Sequence, residues 1–460
     1  MTRTTFAALL LAGGVLRAIA LAAPGTGDVT VWKVWTYNAA RGRVATMYGV
    51  GGTPPERRIL QYAGAEASVD YPPIALYELG VAGRLYRVWS RGSFPNTAAL
   101  TAFVKLPAVA CDIALALLIF VLVRARCGES IARWSTLAYW LNPAVLLDAS
   151  VLGYLDTQFV LPVAGALVAA ATGWAAAAGG LFAVSLLTKA QALFIGPALA
   201  LAIWTNSSSR RQRARDVAFA IAAFAAVATL AIAPTVIAGG WPNMAQALSR
   251  LAHHDMLSAN NCNLWWLAGY AIRARASMAD LGLWAAITRP TQILGIPRFV
   301  ELGYPNPRAV GTLLTLAAAA WAVWTARRAR DVWLVAAVAA FLVHAYSTLS
   351  AQVHENHAFA AVPLLVIAAA GRTRFRPIVA IVSVIVALNL NLFYGLGNGV
   401  GYAIPRGITI VDATIVLAIV NCAALWAHAR VLKIECSTAG ASRRTPTPAS
   451  RPAPAVHSRS

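Results

Sequence analysis

Long apolar runs separated by short arginine clusters constrain this chain more than any other feature of its sequence. Runs of about 17 to 25 residues have the length that an α-helix needs to cross a hydrocarbon layer of about 30 Å. Of the 460 residues, 59% are hydrophobic and only 12% are charged, whereas about 25% of a soluble domain is charged. The sequence therefore predicts an all-α polytopic membrane protein.

The arginine clusters predict the orientation of these runs. Short cytoplasmic loops carry an excess of Lys and Arg, and one arrangement of about twelve transmembrane helices puts every cluster between spans on the cytoplasmic side, with both termini inside. Two long external loops result, at about 24–100 and 239–307. The predicted spans are 6–23, 101–123, 131–150, 157–172, 174–188, 190–204, 217–238, 310–325, 332–349, 357–370, 378–394 and 408–428.

The two ends of the chain are interpreted from their composition. Arg17 interrupts the first apolar run, and many spans follow, so we expect an uncleaved first helix rather than a signal peptide. We expect residues 1–436 to form one transmembrane unit. Residues 437–460 are rich in Ser, Thr, Pro, Ala and Arg, which predicts a disordered cytoplasmic tail.

The charge and the cysteines limit the possible partners. The net charge is +21, but the basic residues are grouped between apolar runs rather than on one amphipathic face. This distribution indicates membrane orientation and no nucleic-acid partner. The five cysteines have no metal-binding spacing, so we expect neither a zinc site nor a disulfide framework.

Rare acidic residues and a histidine are predicted to meet on the external face. Asp28 follows the first span, and Asp70 precedes two prolines in Val-Asp-Tyr-Pro-Pro. Asp156 belongs to Gly-Tyr-Leu-Asp-Thr-Gln, and His354 and Glu355 belong to Val-His-Glu. Each could be an ordinary solvated loop residue, and Asp70 could be a helix N-cap. Because the chain has only 17 acids, their occurrence on one face favours a site.

Other polar residues in the external loops are further candidates. Lys189 and Gln191 lie in a predicted external turn, where a lysine can bind a lipid headgroup or extend to the interface. Asn263 precedes Leu-Trp-Trp, a pattern that suits an interfacial helix or an aromatic belt. His253 and His254 are adjacent and so do not share a helix face, which argues against a metal site there.

Asp112 lies deep inside the second predicted span. A carboxylate at that depth is costly, and it is either functional or paired. Lys105 and Lys189 are the cations that we expect nearest to it. We favour a structural pair over a catalytic role, since no path for protons or substrates is evident.

Several motifs occur in an order that resembles the GT-C membrane glycosyltransferases. They are an external Asp after the first span, Asp-Tyr-Pro-Pro, a buried Asp in the next span, Gly-Tyr-Leu-Asp-Thr-Gln, Thr-Lys-Ala-Gln, Asn-Leu-Trp-Trp and Val-His-Glu. The pattern is most similar to the ALG-type dolichyl-phosphate-glucose glucosyltransferases and their bacterial relatives. The resemblance covers most of the chain up to about residue 370, and Asp-Tyr-Pro-Pro and Val-His-Glu are its most specific parts.

The resemblance implies a GT-C-like fold and an inverting sugar transfer on the external face. The donor would be a polyprenyl-phosphate-linked hexose or pentose, as for a mannosyl- or glucosyltransferase, and the acceptor a lipid-linked or cell-envelope glycan. The first-loop aspartate would be the general base, which by position is Asp28. In the family a further acidic or aromatic residue usually follows soon after, but this chain has Val29, Thr30 and Val31. Asp70 therefore stays open as an alternative base.

The remaining site residues would bind the substrate. The leaving lipid phosphate needs cations or donors nearby, and His354, Lys189, Arg298 and Arg308 are the candidates. The full set of expected substrate-binding residues is His354, Glu355, Lys189, Gln191, Asp156, Asn263 and Arg298. With no external Asp-x-Asp motif we expect no metal cofactor. The expected location is a bacterial inner or plasma membrane, among membrane lipids, with a periplasmic or extracellular active face.

A second hypothesis is a transporter or flippase of lipid-linked sugars, with Asp112 as the coupling or binding residue. Transporters more often place their polar residues on broken helices at mid-membrane. The carboxylates in two long external loops therefore favour the enzyme.

Overall fold

Helices make up nearly all of the regular structure, because a backbone in lipid must satisfy its hydrogen bonds within each segment. The structure is a computed structural model that describes residues 1–250, 256–288, 305–397 and 412–441. The helices are α1 (Arg3–Ala20), α2 (Gly27–Ala40), α3 (Pro73–Trp89), α4 (Ala98–Cys127), α5 (Glu129–Trp140), α6 (Pro143–Leu152), α7 (Asp156–Ala171), α8 (Ala175–Thr188), α9 (Gly196–Asn206), α10 (Arg210–Ile237), α11 (Trp241–Arg250), α12 (Leu264–Thr288), α13 (Pro307–Thr325), α14 (Val332–Leu349), α15 (Ala361–Gly371), α16 (Arg376–Tyr394) and α17 (Ala413–Ala441).

The all-α polytopic class is confirmed. Within the described ranges, seven helices are long and apolar enough to cross a membrane: α1, α4, α10, α13, α14, α16 (counted from Thr373) and α17 (counted to Thr438). Five shorter apolar helices, at Pro143–Leu152, Asp156–Ala171, Ala175–Thr188, Ala190–Asn206 and Ala361–Gly371, occupy other predicted spans. The helix α14 is the most enclosed, with 83% of its apolar window buried, and it packs against α15, α17, α13 and α9.

The predicted span 131–150 is not one helix. The helix α5 ends at Trp140, and Asn142 then caps α6, its Oδ1 accepting the N–H of Ala144 at 3.0 Å. The last part of α6, Leu146–Leu152, is π-helical and ends at Gly153, whose φ is +78°. This break turns the chain toward the start of α7, where the Gly-Tyr-Leu-Asp-Thr-Gln motif lies.

The first predicted external loop is folded. The helix α2 packs on α3 and on a hairpin of two antiparallel strands, β1 (Leu60–Tyr62) and β2 (Ala65–Ala67). The buried side chains of this unit include Trp35, Leu76 and Tyr86. Pro72 holds the N-cap position of α3, so the expectation that Asp70 lies just outside a helix is right, and its alternative as the N-cap is wrong.

The prediction that Lys105 or Lys189 is the cation nearest to Asp112 is wrong. Its Oδ2 accepts a hydrogen bond from Nε of Arg17 on α1 at 2.5 Å, and both side chains are almost fully buried. The guanidinium also donates to the carbonyl of Trp140 at 2.9 Å and lies 3.5 Å from the centre of its ring. The arginine that interrupts the first apolar run is therefore paired inside the bundle, which agrees with a structural role for Asp112.

The C-terminal helix continues past the predicted boundary at residue 436. The helix α17 extends to Ala441, and residues 442–460, most of the predicted tail, lie outside the described part of the chain. The start of the last predicted span, 408–411, also lies outside it.

We predict that Arg17→Met destabilises the protein by about 3–5 kcal/mol, because it leaves the Asp112 carboxylate buried without its counter-charge. Thermal unfolding of the detergent-solubilised protein measures this effect. The double variant Arg17→Met/Asp112→Leu is expected to recover most of the loss. Arg3→Gln is the control, since Arg3 pairs with Glu129 at the surface at 3.8 Å and such exposed pairs contribute little to stability. Equal losses for Arg17→Met and Arg3→Gln would contradict the prediction.

Candidate functional site

A buried ion pair forms the floor of the candidate site. Asp156 is the first residue of α7, where the helix dipole favours a carboxylate. Its Oδ1 accepts from Nζ of Lys189 at 2.6 Å, and its Oδ2 accepts from Nδ2 of Asn356 at 2.7 Å. The lysine directly follows α8, and the asparagine belongs to the loop between α14 and α15. The pair therefore joins three parts of the chain.

The Val-His-Glu motif forms one wall above this floor. The Glu355 carboxylate is buried and accepts a hydrogen bond from the Tyr154 hydroxyl at 2.5 Å. His354 is 40% exposed, and its Nδ1 lies 3.9 Å from Oε2 of Glu355. Burial raises the pKa of Glu355, and the Tyr154 hydrogen bond opposes that shift. The motif thus presents an open imidazole beside an enclosed carboxyl.

Asp28 lies in the first turn of α2, near enough to Glu355 and His354 to interact with both electrostatically. Its side chain is open to solvent, yet protein surrounds it closely enough that desolvation raises the pKa of its carboxyl, which places it in a concave surface. Glu355 raises that pKa further, while His354 and Lys189 lower it. These interactions put Asp28 within electrostatic reach of the wall and of the floor.

The Asp-Tyr-Pro-Pro segment is fixed against α2 by aromatic contacts. The Tyr71 ring lies 5.0 Å from that of Trp32 and 5.6 Å from that of Trp35, centre to centre. The Tyr48 hydroxyl donates to the Tyr71 carbonyl at 2.6 Å. Asp70 is half-buried, and desolvation, with a smaller contribution from Asp28, raises its pKa to about 6. Both candidate bases therefore belong to one site.

A buried lysine on α4 joins the end of α1 to the end of α6. Lys105 on α4 donates to the carbonyls of Ala23 at 2.7 Å, Ser150 at 3.0 Å and Val151 at 2.7 Å. The Ala23 carbonyl comes just after α1, and the other two carbonyls lie in the last turn of α6. Lys105 therefore donates to carbonyl groups at helix ends, which have no partner within the helix, and does not pair with Asp112. Next to it, Nε1 of Trp32 donates to the carbonyl of Gly153 at 3.2 Å.

Gln191 lies beside the same wall, and Asn263 caps a helix. The Gln191 amide nitrogen lies 2.9 Å from Nε2 of His357, whose Nδ1 is 3.1 Å from the Tyr346 hydroxyl. Oδ1 of Asn263 accepts the N–H groups that begin α12, at 3.0 Å, and its Nδ2 donates to the Ser347 carbonyl at 3.1 Å. The Asn263 side chain is therefore buried, and both its oxygen and its nitrogen form hydrogen bonds within the protein.

The second external segment reaches the site through its backbone. Ala259 donates its N–H to the Val353 carbonyl at 3.0 Å, directly before His354. Nδ2 of Asn260 lies 3.2 Å from the Tyr394 hydroxyl. Three residues from the sequence analysis, Arg298, His253 and His254, lie outside the described part of the chain.

The sequence analysis missed several residues of the site. Asn356 directly follows Val-His-Glu, and Tyr154 lies inside the Gly-Tyr-Leu-Asp-Thr-Gln motif. Both motifs were predicted to belong to the site, but the hydrogen bonds of these two residues were not predicted. Asp148 is a fully buried carboxylate on the π-helical part of α6, close enough to Asp156 to interact with it. The rule that a rare acid in an apolar run is paired or functional would have found it.

Two properties of this arrangement decide its possible chemistry. The carboxylates of Asp28 and Asp70 can accept a proton from a hydroxyl group that enters the site. The exposed imidazole of His354 can contact an anionic group beside them. The buried pair beneath, Lys189 and Asp156, neutralises its own charge and fixes the positions of these groups.

The comparisons with known proteins give little further guidance. No family model and no curated protein sequence matches this chain. Among solved structures, the chain is similar to the crystal structure of the Archaeoglobus fulgidus oligosaccharyltransferase tethered to an acceptor peptide by a disulfide bond, at 13% identity and a TM-score of 0.41. The similarity covers 95% of this chain and 55% of that one. The chain therefore spans about half the length of the archaeal enzyme, and a similarity of this size decides neither fold nor function.

We predict that Gly153→Ala destabilises the protein and displaces α2. An alanine Cβ here would lie 2.7 Å from Cγ2 of Val29 and 2.9 Å from Cε of Lys105, and its φ would be +78°. We expect a loss of about 2–4 kcal/mol from left-handed strain and overpacking together, measured by thermal unfolding.

Gly42→Ala separates strain from crowding. Gly42 has a φ of +76° but no atom within 4 Å of an added Cβ, so only the strain of about 1–2 kcal/mol should remain. Equal losses for the two variants would show that the contact with Val29 and Lys105 is not tight.

Proposed function

We propose that this chain is a GT-C-type membrane glycosyltransferase that transfers a sugar from a polyprenyl-phosphate donor to a lipid-linked or cell-envelope glycan on the external face. The observation that carries the proposal is the position of Asp28. An open carboxylate with a raised pKa lies within electrostatic reach of His354, Glu355 and Lys189. This combination suits the deprotonation of a hydroxyl next to an anionic leaving group.

In the proposed reaction Asp28 is the general base. A hydroxyl of the acceptor attacks the anomeric carbon of the donor sugar, and its proton passes to the Asp28 carboxylate. The bond between that carbon and the phosphate oxygen breaks, and the lipid phosphate leaves with the electron pair. Attack opposite the leaving group inverts the anomeric configuration. A phosphate needs no proton to leave, so one carboxylate base is sufficient.

His354 is the group that we assign to the donor phosphate. Its partly exposed side chain lies beside Glu355, and hydrogen bonds to the developing phosphate charge lower the barrier. Lys189 is bonded to Asp156 and almost fully buried, so we assign it the positioning of the floor rather than direct contact. Arg298 and Arg308 stay candidates for further phosphate contacts.

Asp70 and Glu355 are assigned to the sugar. Asp70 is half-buried at the edge of the site, where it can accept hydrogen bonds from sugar hydroxyls and stays the alternative base. Glu355 is held by the Tyr154 hydroxyl, which fixes its direction. A carboxyl with a raised pKa can also donate to a sugar oxygen when it is protonated. Gln191 borders the same region.

The transporter hypothesis depends on Asp112, and its contacts do not favour it. The carboxylate is committed to Arg17, which in turn is held by the Trp140 carbonyl and ring. A coupling residue has to exchange protons or ligands during transport, and a fully enclosed pair is poorly suited to that. Its geometry instead fits a link between α1, α4 and α5.

We predict that Asp28→Asn lowers sugar transfer by at least about a hundredfold, because general-base catalysis contributes about 10²–10⁴-fold. The assay incubates membranes containing the full chain with a panel of radiolabelled polyprenyl-phosphate sugars and follows label into lipid, glycan and protein. Glu66→Gln is the matched control, since Glu66 is an exposed acid on β2 in the same external segment.

Two results would overturn this assignment. Wild-type transfer by Asp28→Asn, with the protein present at its normal level, would remove Asp28 as the base. Flipping or uptake by reconstituted vesicles that is lost in Asp112→Asn and kept in Asp28→Asn would replace the enzyme by a transporter.

We predict that transfer is lost on acidification at a pH above the ordinary aspartate pKa of 3.8. A base acts only when ionised, so a raised pKa moves the acid limb of the kcat/KM profile to higher pH. The pKa of Asp70 is about 6, and that of Asp28 is raised as well. If Asp28 is the base, Asp70→Asn keeps an acid limb above pH 3.8. Disappearance of that limb in Asp70→Asn would make Asp70 the base.

A further inference from the structure

The helix α3 has an exposed apolar stripe in addition to the face that it buries. Its buried residues, among them Leu79, pack on α2 and α4. The side of the helix turned away from this face carries Val81, Leu85, Val88 and Trp89, which are 56%, 55%, 80% and 60% exposed. Their spacing of i, i+4, i+7 and i+8 puts them on one side of a helix. Water disfavours such a stripe, so something apolar must cover it.

The stripe is continuous with a surface that faces lipid. The Trp89 ring lies 5.9 Å from that of Phe103 on α4, centre to centre. Phe103 is on the same side of α4 as Leu117 and Val121, which are 60% and 55% exposed on a helix apolar enough to cross a membrane. Lipid that covers this side of α4 would therefore meet the α3 stripe next.

The helix α3 does not have the composition of a membrane span. It has 17 residues with arginines in its second half, and it is not among the described helices that are long and apolar enough to cross a bilayer. An amphipathic helix of this kind lies along the membrane surface, with its apolar side at the boundary of the acyl chains. Trp89 is typical of that boundary.

Two arginines border one edge of the stripe. Arg84 and Arg87 are both exposed and lie three residues apart, so they are neighbours on the helix surface. Arginines beside an apolar stripe lie at the depth of lipid phosphates, where their charge attracts anionic lipid.

The acid in this helix does not oppose the attraction. Glu78 lies one turn before Val81 on the stripe side and is half-buried. Burial raises its pKa to about 8, so most of it is protonated at neutral pH. The helix then presents arginine charge with little carboxylate charge beside it.

We propose that α3 is an interfacial helix, that lipid acyl chains cover Val81, Leu85, Val88 and Trp89, and that Arg84 and Arg87 bind the phosphates of anionic lipids. The partner is the membrane leaflet on the side where the candidate site opens. The proposal does not depend on the glycosyltransferase function, because it concerns the outer side of α3 and not the groups that face Asp28.

Photocrosslinking tests which partner covers the stripe. Val88 is replaced by photoreactive p-benzoylphenylalanine in the full chain, reconstituted in vesicles of phosphatidylcholine and phosphatidylglycerol. The control carries the same group at Glu66, exposed on β2. Mass spectrometry should show at least about tenfold more lipid adducts at position 88 than at 66, as expected for a side chain at acyl depth. Crosslinks between two copies as the main product at 88, or equal adducts at both positions, would overturn the proposal.

A second set of variants tests the arginines with the same crosslinker at position 88. Arg84→Gln/Arg87→Gln should reduce the share of phosphatidylglycerol among the lipid adducts by at least about threefold, while total lipid adducts stay unchanged. Arg43→Gln/Arg57→Gln removes the same charge from two other exposed arginines of the first external segment, and it should leave that share unchanged. Equal shares in both double variants would overturn the anionic-lipid part.

Discussion

The ion pair between Lys189 and Asp156 is the interaction on which the candidate site depends. Neither charge could stay in an apolar bundle alone, because an unpaired buried ion costs several kcal/mol. Each partner comes from a different helix end, and Asn356 binds the remaining carboxylate oxygen. These bonds hold together the start of α7, the end of α8 and the loop after α14. The Val-His-Glu motif belongs to that loop and is thereby fixed in position.

The first external segment is held over this floor by contacts of another kind. Aromatic packing of Tyr71 on Trp32 joins the Asp-Tyr-Pro-Pro segment to α2, and the Trp32 indole reaches the Gly153 carbonyl. Lys105 ties the ends of α1 and α6 together directly beneath. Asp28 and Asp70 are therefore carried by a closely packed unit, and such packing would preorganise them for the proposed reaction. The outer side of the same segment has an apolar stripe, which we propose lies against the membrane.

Much of the fold could be predicted, because hydropathy reports directly on what lipid tolerates. Most predicted spans correspond to described helices with shifts of a few residues. Asn142 caps a new helix inside one expected span, and the helix of the last span continues to Ala441. The convergence of Asp28, Asp156 and Glu355 was also predictable, since topology alone decides which loops share a membrane face. Their roles in a reaction stay proposals. Helix lengths were less predictable, because a helix enclosed by others need not span the full hydrocarbon layer.

The amino-acid sequence was enough to predict a polytopic helical bundle with several of its rare acids in loops on one face. The packing of the helices then set which cation each buried acid meets. Asp112 pairs with Arg17, 95 positions away along the chain, while Lys105 binds backbone carbonyls and Lys189 takes Asp156. Composition fixes how many charges must be compensated, but the Coulomb energy of a pair depends on a distance of a few ångströms. That distance is set by how the helices pack.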